Sequence, residues 1–198
     1  EIGAELDKGN LLPDNLINSI ANKHLQLLDT SYVQTTSAEQ IAQWGKAVLL
    51  DGYPRTLGQA TSLTQRMIGT NDKRASVAVH VALEPWVAMQ KLLHRSECAT
   101  CGDGFNTADV MSHGYDMPAI LPNKSTCRLG AAKCDPVLVN RNDDKEDIIA
   151  SRMEQYEAKT KPIVSYYALR GELAVFNVKK GVKDTPQLLQ LMKEMLSA

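Results

Sequence analysis

Short strand-like runs alternating with stretches of helical periodicity set the strongest limit on what this chain can fold into. Residues 47–50 (Ala-Val-Leu-Leu) are continuously apolar and stop at Asp51-Gly52. Such a run suits a strand buried on both faces, as in a parallel sheet. Residues 76–83, with Val77, Val79 and Val81, read as a second strand, and residues 173–178 as a third. Between them apolar residues recur at helical spacing. In residues 14–28 they are Leu16, Ile17, Ile20, Ala21, Leu25 and Leu28, after a Pro13-Asp14 start. Residues 31–45 are polar and read as loop with some helix. Further helices are expected over 56–68 and from Glu84-Pro85 to Leu93. Two more are expected over 144–169, with a break near Pro162, and over 186–196. The pattern predicts an α/β fold, a three-layer parallel sheet with flanking helices.

Residues 96–139 depart from this alternation. All four cysteines fall here, among prolines and glycines, and the segment reads as loops or a small inserted lobe. The expected organisation is a core over 1–95, an inserted lobe over 96–139 and a second core part over 140–198. A chain of 198 residues is long enough for one such domain with its own core. Twenty-two basic and 23 acidic residues give a net charge of −1, which excludes a nucleic-acid binder that works by bulk positive charge. No apolar run approaches the ~18 residues of a membrane helix. Four cysteines are too sparse for a disulfide scaffold. Residue 1 is Glu, and residues 2–6 already read as helix, so a removed N-terminal segment or an incomplete sequence is expected.

Four groups of residues can carry chemistry. The first is Asp51-Gly52-Tyr53-Pro54-Arg55-Thr56, at the carboxyl end of a candidate strand, where ligands collect in open α/β sheets. Arg55 can fork onto a phosphate and Asp51 can hold a metal-bound water. An ordinary turn with a surface arginine is the plainer account. The second is Arg141, Asp143, Asp144 and Arg152, where the plainer account has the acids capping a helix and the arginines in solvent. The third is Lys91 and Arg95, spaced to share one helix face with an anion between them, or to be a snorkelling surface pair. The fourth is Cys98-Ala99-Thr100-Cys101-Gly102, half of a zinc knuckle. Cys127 and Cys134 can complete four thiolates, although six residues separate them; reduced thiols are the alternative.

In their order along the chain, LLDGYPRTLGQA, LLHR before CxxCG, LVNRNDDKEDIIASRMEQY and TKPIVSYYALRGEL resemble adenylate kinase, as does the opening DKGNLLPDNL. The stretch CGDGFNTADV…GYDMPAILP looks like the lid of the long-form enzymes of plant and protist organelles. The resemblance implies interconversion of ATP and AMP with two ADP, using Mg²⁺. It places Arg55 on the AMP phosphate, Gln59 on the adenine edge, and Asn10 and Leu12 where main chain meets the AMP ribose. Asp51 would hold the magnesium through water. Arg95, Arg141 and Arg152 would surround the transferring phosphoryl group, and Lys91 and Lys183 would lie on the ATP side. Residues 96–139 would be the lid, with a structural Zn²⁺ on Cys98, Cys101, Cys127 and Cys134. The lid wording points to an intracellular organelle, mitochondrion or plastid.

Two departures stand beside the resemblance. Lys91 replaces an arginine that stacks on the ATP side, keeping the charge and losing the planar fork. No G-x-x-x-x-G-K-[ST] occurs in the sequence, so the main-chain cradle for ATP phosphates is not among these residues. The sequence therefore implies an adenylate kinase whose intact form carries the phosphate loop, with these residues inactive alone. The alternative is a catalytically inactive, kinase-like structural or regulatory subunit of a larger assembly. In the second case a protein partner would cover the sheet gap where the family's first strand lies, because unpaired buried backbone groups cost roughly 1–3 kcal/mol each. A kinase for another nucleoside monophosphate is a weaker third reading, since Gln59 suits adenine.

Overall fold

The computed structural model describes residues 10–35, 48–69, 77–122, 137–141 and 143–197. Helix α1 runs Asp14–Thr35, a full two turns beyond the apolar spacing, and α2 runs Leu57–Gly69. Strand β1 (Ala78–Ala82) leads into α3 (Pro85–Leu93), which begins with proline where a missing N–H costs nothing. Helix α4 (Glu146–Gln155) continues through a single π-helical stretch at Tyr156–Thr160 into α5 (Lys161–Leu169). The expected break near Pro162 takes this form: a wider turn shifts the hydrogen-bond register just ahead of a residue that cannot donate. Strand β5 (Leu173–Asn177), a 3₁₀ turn (Gly181–Asp184) and α6 (Thr185–Ser197) close the chain.

β1 and β5 pair in parallel, from Ala78 opposite Leu173 to Ala82 opposite Asn177. Helices α2 and α5 pack on this pair through Ala60, Ile163 and Tyr167, with Ala78 and Leu173 against them. The fold is thus α/β, with a parallel sheet and flanking helices. The strand expected over 47–50 does not form. Ala47 lies outside the described residues, and Val48, Leu49 and Leu50 are irregular and exposed, Leu49 at 79%. An apolar run becomes a buried strand only beside a neighbour that satisfies its N–H and C=O groups. In the described residues the parallel sheet has two strands, β1 and β5.

The segment after α3 is more ordered than loops. β2 (Arg95–Cys98) lies between β3 (Gly104–Asn106) and β4 (Leu138–Asn140) in a small antiparallel sheet. Isolated bridges join Asn106 to Ile120 and Val110 to Met117, folding 107–120 into a closed loop. That loop buries Ala108, Val110, Tyr115 and Met117 against Val87 of α3, with Leu83 and Val178 alongside. The loop is therefore anchored on the carboxyl ends of both parallel strands.

Candidate functional site

Arginine and carboxylate side chains from three elements meet at the start of α4. Arg95, the first residue of β2, grips Asp144 with two hydrogen bonds, Nε to Oδ2 at 2.8 Å and Nη2 to Oδ1 at 2.6 Å. The Asp144 side chain is only 1% exposed. Arg141 grips Asp143 in the same forked manner at 2.9 and 3.1 Å. Arg152, from the second half of α4, reaches Asp143 at 3.4 Å and Asp144 at 3.8 Å. Hydrogen bonding to Asp143 pushes the Arg141 guanidinium up, and the same bonds hold Asp143 below the usual carboxylate range.

The three guanidiniums and two carboxylates leave one positive charge in excess. Their side chains stay between 31% and 43% exposed at Arg95 and Arg141, with Arg152 at 32%. Forked bonds to fixed carboxylates pre-orient the cations while the solvent side remains open. A phosphoryl group, with charge spread over several oxygens, is the species such a cluster can receive. The acids do not cap α4; Lys145 stands at the cap, with no side-chain hydrogen bond there. Lys91 and Arg95 do not share a helix face either, because α3 ends at Leu93 and the chain turns at His94 into β2.

A second group forms where α2 begins. Thr56 caps this helix, its hydroxyl accepting from the Gln59 N–H at 3.2 Å. Thr56 and Gln59 have the spacing of a capping box, but Gln59 Oε1 accepts from the N–H of Arg55, one residue ahead of the cap, at 2.8 Å. Gln59 Nε2 donates to Asp14 Oδ1 at 2.8 Å, and Thr56 Oγ1 donates to Asp14 Oδ2 at 2.8 Å. Asp14 thus sits in the first turn of α1 while holding the first turn of α2. Burial raises the Tyr53 hydroxyl pKa, and Asp14 adds to the shift; that hydroxyl donates to Asn18 Oδ1 at 2.9 Å.

Arg55 itself is exposed, and its Nε folds back onto the Gly52 carbonyl at 3.0 Å. Thr160, in the π-helical stretch, donates to the Arg55 carbonyl at 2.9 Å. An open groove of about 560 Å³ lies alongside, lined by Leu12, Pro13, Asp14, Thr56, Ala158 and Pro162 among others. Asn10 Oδ1 accepts from Gln155 Nε2 at 3.3 Å, on α4. Asp51 is exposed at the end of the irregular 48–50 run.

Lys91 and Lys183 both engage the 107–120 loop. Lys91 Nζ donates to the Ala108 and Met117 carbonyls at 2.9 Å each and to Pro118 at 3.4 Å. Desolvation lowers its pKa. Lys183 Nζ pairs with both carboxylate oxygens of Asp116, at 3.1 and 3.2 Å. Lys179 Nζ stands 3.9 Å from the Tyr115 ring centroid and 3.3 Å from Glu84. Sequence reasoning missed Asp14, Asp116 and the carbonyl cradle of Lys91, because these contacts join residues 17 to 67 positions apart.

Of the four cysteines, Cys98 is buried and Cys101 half-buried; Cys127 and Cys134 lie outside the described residues. Gly102, at φ +73°, makes the tight turn of the knuckle, and its N–H donates to the Cys98 carbonyl at 2.8 Å. Among the described residues no three His, Cys, Asp or Glu side chains are grouped to hold a metal. None of the described helices is long and apolar enough to cross a membrane.

The adenylate kinase family profile matches residues 1–172. The chain belongs to the adenylate kinase family. Among curated relatives, the adenylate kinase of Fervidobacterium nodosum is 30% identical, over 93% of this chain and 72% of its own length. A probable adenylate kinase 6, chloroplastic, of Oryza sativa is 28% identical, over 94% of this chain but 59% of its own length. The GTP:AMP phosphotransferase of Plasmodium falciparum is 29% identical, over 93% and 72%. This adenylate kinase-family chain thus spans between about three-fifths and three-quarters of these relatives.

Proposed function

We propose that the protein transfers a phosphoryl group between ATP and AMP, giving two ADP. The observation that carries this reading is the convergence of Arg95, Arg141 and Arg152 on Asp143 and Asp144. Phosphoryl transfer asks for positioning and charge stabilisation more than for covalent chemistry. Here Arg95, Arg141 and Arg152 would surround the moving phosphoryl group, with their carboxylates holding them ready. Arg55 would meet the AMP phosphate and Gln59 its base, with Asn10 and Leu12 beside the ribose. Residues 96–139 would act as a lid over the core formed by 1–95 and 140–198, with Lys91 and Lys183 on the ATP side. Mg²⁺ would bring charge neutralisation to the ATP phosphates. An exposed single carboxylate such as Asp51 suits a magnesium ion that keeps most of its waters. The donor phosphates also need main-chain N–H groups that these 198 residues, lacking G-x-x-x-x-G-K-[ST], do not offer in that form.

The experiment is ADP production from ATP, AMP and Mg²⁺ by the full protein, beside Arg141→Ala. Turnover that falls at least about a hundredfold in the variant supports the reading. An inactive wild-type protein overturns it. The second reading is a kinase-like structural or regulatory subunit with a protein partner over the sheet edge. Loss of ATP-dependent turnover with retained AMP binding would support it.

A structural Zn²⁺ on Cys98, Cys101, Cys127 and Cys134 also belongs to this proposal. The tight Cys98–Cys101 turn fits half of a tetrahedral thiolate site. Metal analysis of the purified protein tests it. Location in an organelle, mitochondrion or plastid, rests on relatives named as chloroplastic and is tested by fractionation.

A further inference from the structure

A glutamine amide has a donor end and an acceptor end of nearly the same shape, so its neighbours decide which way it faces. At Gln59 they decide firmly. The Asp14 carboxylate, which only accepts, takes a hydrogen from Nε2, and the Arg55 N–H, which only donates, gives one to Oε1. Turning the amide over would set oxygen against oxygen and N–H against N–H. Gln59 is 2% exposed, so water cannot relieve either clash. Asp14 Oδ2 also accepts from Thr56 Oγ1, and a Cβ at Gly58 would lie 2.6 Å from that same oxygen.

We propose that Asp14 is the positioning residue that makes the acceptor site choose adenine over a 6-oxopurine, by fixing the direction of the Gln59 amide. The proposal rests on the reading of Gln59 as the residue that meets the base. After its two bonds the amide keeps one N–H on Nε2 and one lone pair on Oε1. Adenine offers an acceptor at N1 and a donor at its 6-amino group, which complement that pair. Hypoxanthine and guanine offer a donor at N1 and an acceptor at O6, and they complement only the reversed amide. Sites built on hydrogen bonds reject partners that leave buried polar groups unpaired. An asparagine at position 14 can turn its amine toward a reversed Gln59, which removes one of the two clashes and leaves only the Arg55 N–H opposing the reversal.

The test is the ratio of dissociation constants for AMP and IMP, measured by calorimetry on the full protein. The wild-type protein prefers AMP, and in Asp14→Asn that preference falls by at least about tenfold. Gly58→Ala, which displaces the carboxylate without changing either partner, moves the ratio the same way. Thr56→Val removes the cap that accepts the Gln59 backbone N–H and the other bond to Asp14, while leaving the Gln59 side-chain amide its bond to Asp14. It lowers the melting temperature and leaves the ratio as it was, a split that a merely structural role of Asp14 would not produce. If AMP binds and neither Asp14→Asn nor Gly58→Ala alters the ratio, the proposal falls and the acceptor-site reading stands. If the wild-type protein takes neither nucleotide, the acceptor-site reading falls and this proposal with it.

Discussion

The ammonium of Lys91 lies 2.9 Å from the carbonyl oxygen of Met117, 26 residues further along the chain. With the Ala108 and Pro118 carbonyls it completes a three-point cradle, so Lys91 fastens the 107–120 loop onto α3. An ammonium with three tetrahedral donors can serve three converging carbonyls. A planar guanidinium cannot do so without leaving one of them. A lysine at this position therefore has a structural account.

Lys91→Met keeps the aliphatic stem and removes the donors. The Ala108 and Met117 carbonyl contacts are partly buried, and hydrogen bonds to charged groups contribute about 1.5–3 kcal/mol. A loss of that order is expected in urea denaturation, with faster amide exchange at Val110 and Met117, whose N–H groups close the bridge across the loop. Lys91→Arg is expected to recover less than half of the loss. Full recovery by arginine would show that charge alone, and not the three-point geometry, fastens the loop.

Gly58→Ala sets two effects against each other. Alanine in a helix is better than glycine by about 1 kcal/mol. The added Cβ would meet Asp14 Oδ2 at 2.6 Å, inside any real contact distance. Asp14 must then move away from Thr56 and Gln59, at about 1–3 kcal/mol for the groups left unsatisfied. The clash wins, and the melting temperature falls. A rise would mean that the Asp14 carboxylate shifts freely, with its bonds to Thr56 and Gln59 of little weight.

What the sequence revealed and what it hid separate along contact distance. The runs around Val79 and Val175 form the parallel strands that their apolar pattern predicts, although Val81 and Val175 themselves stay about half exposed. The 47–50 run carries the same local mark, yet Leu49 is exposed, because pairing depends on a partner that local pattern does not report. Helical spacing linked Lys91 to Arg95 only on the assumption that the helix continued past His94. Asp143 and Asp144 looked like helix caps, since nothing local discloses that arginines from β2, the preceding turn and α4 converge on them. Asp14 and Gln59 stand 45 residues apart, and only the fold brings them together.

Acid should weaken the arginine cluster in a particular way. Hydrogen bonds from Arg141 hold the Asp143 carboxyl below its ordinary range in the folded protein. A carboxyl depressed by folding stabilises fully above its unfolded pKa of about 3.9 and loses that contribution as pH falls through the folded value. Urea midpoints are expected to fall as the pH drops below the ordinary carboxylate range of about 4, and to fall less steeply in Asp143→Asn, which begins from a lower stability at pH 7. Parallel pH profiles for the two proteins would show that the Asp143 pairing contributes nothing to acid sensitivity.

At the alkaline end the controlling group is Tyr167, buried between α2 and the parallel strands with Ala60 and Ile163. Burial chiefly, helped by the neighbouring Tyr166, pushes its hydroxyl up to about 12. The unfolded chain loses this proton near pH 10 and the folded one only near 12. Between those values the unfolded state binds fewer protons, so stability is complete below about pH 10 and declines as pH rises toward 12. Tyr167→Phe removes the titrating proton while keeping the ring in the core. The variant is expected to lose less stability than the wild-type protein between pH 9.5 and 11.5, followed by urea denaturation at each pH. An equal decline in both proteins would place the alkaline transition on other groups, Tyr53 and Tyr156 being the next raised by burial.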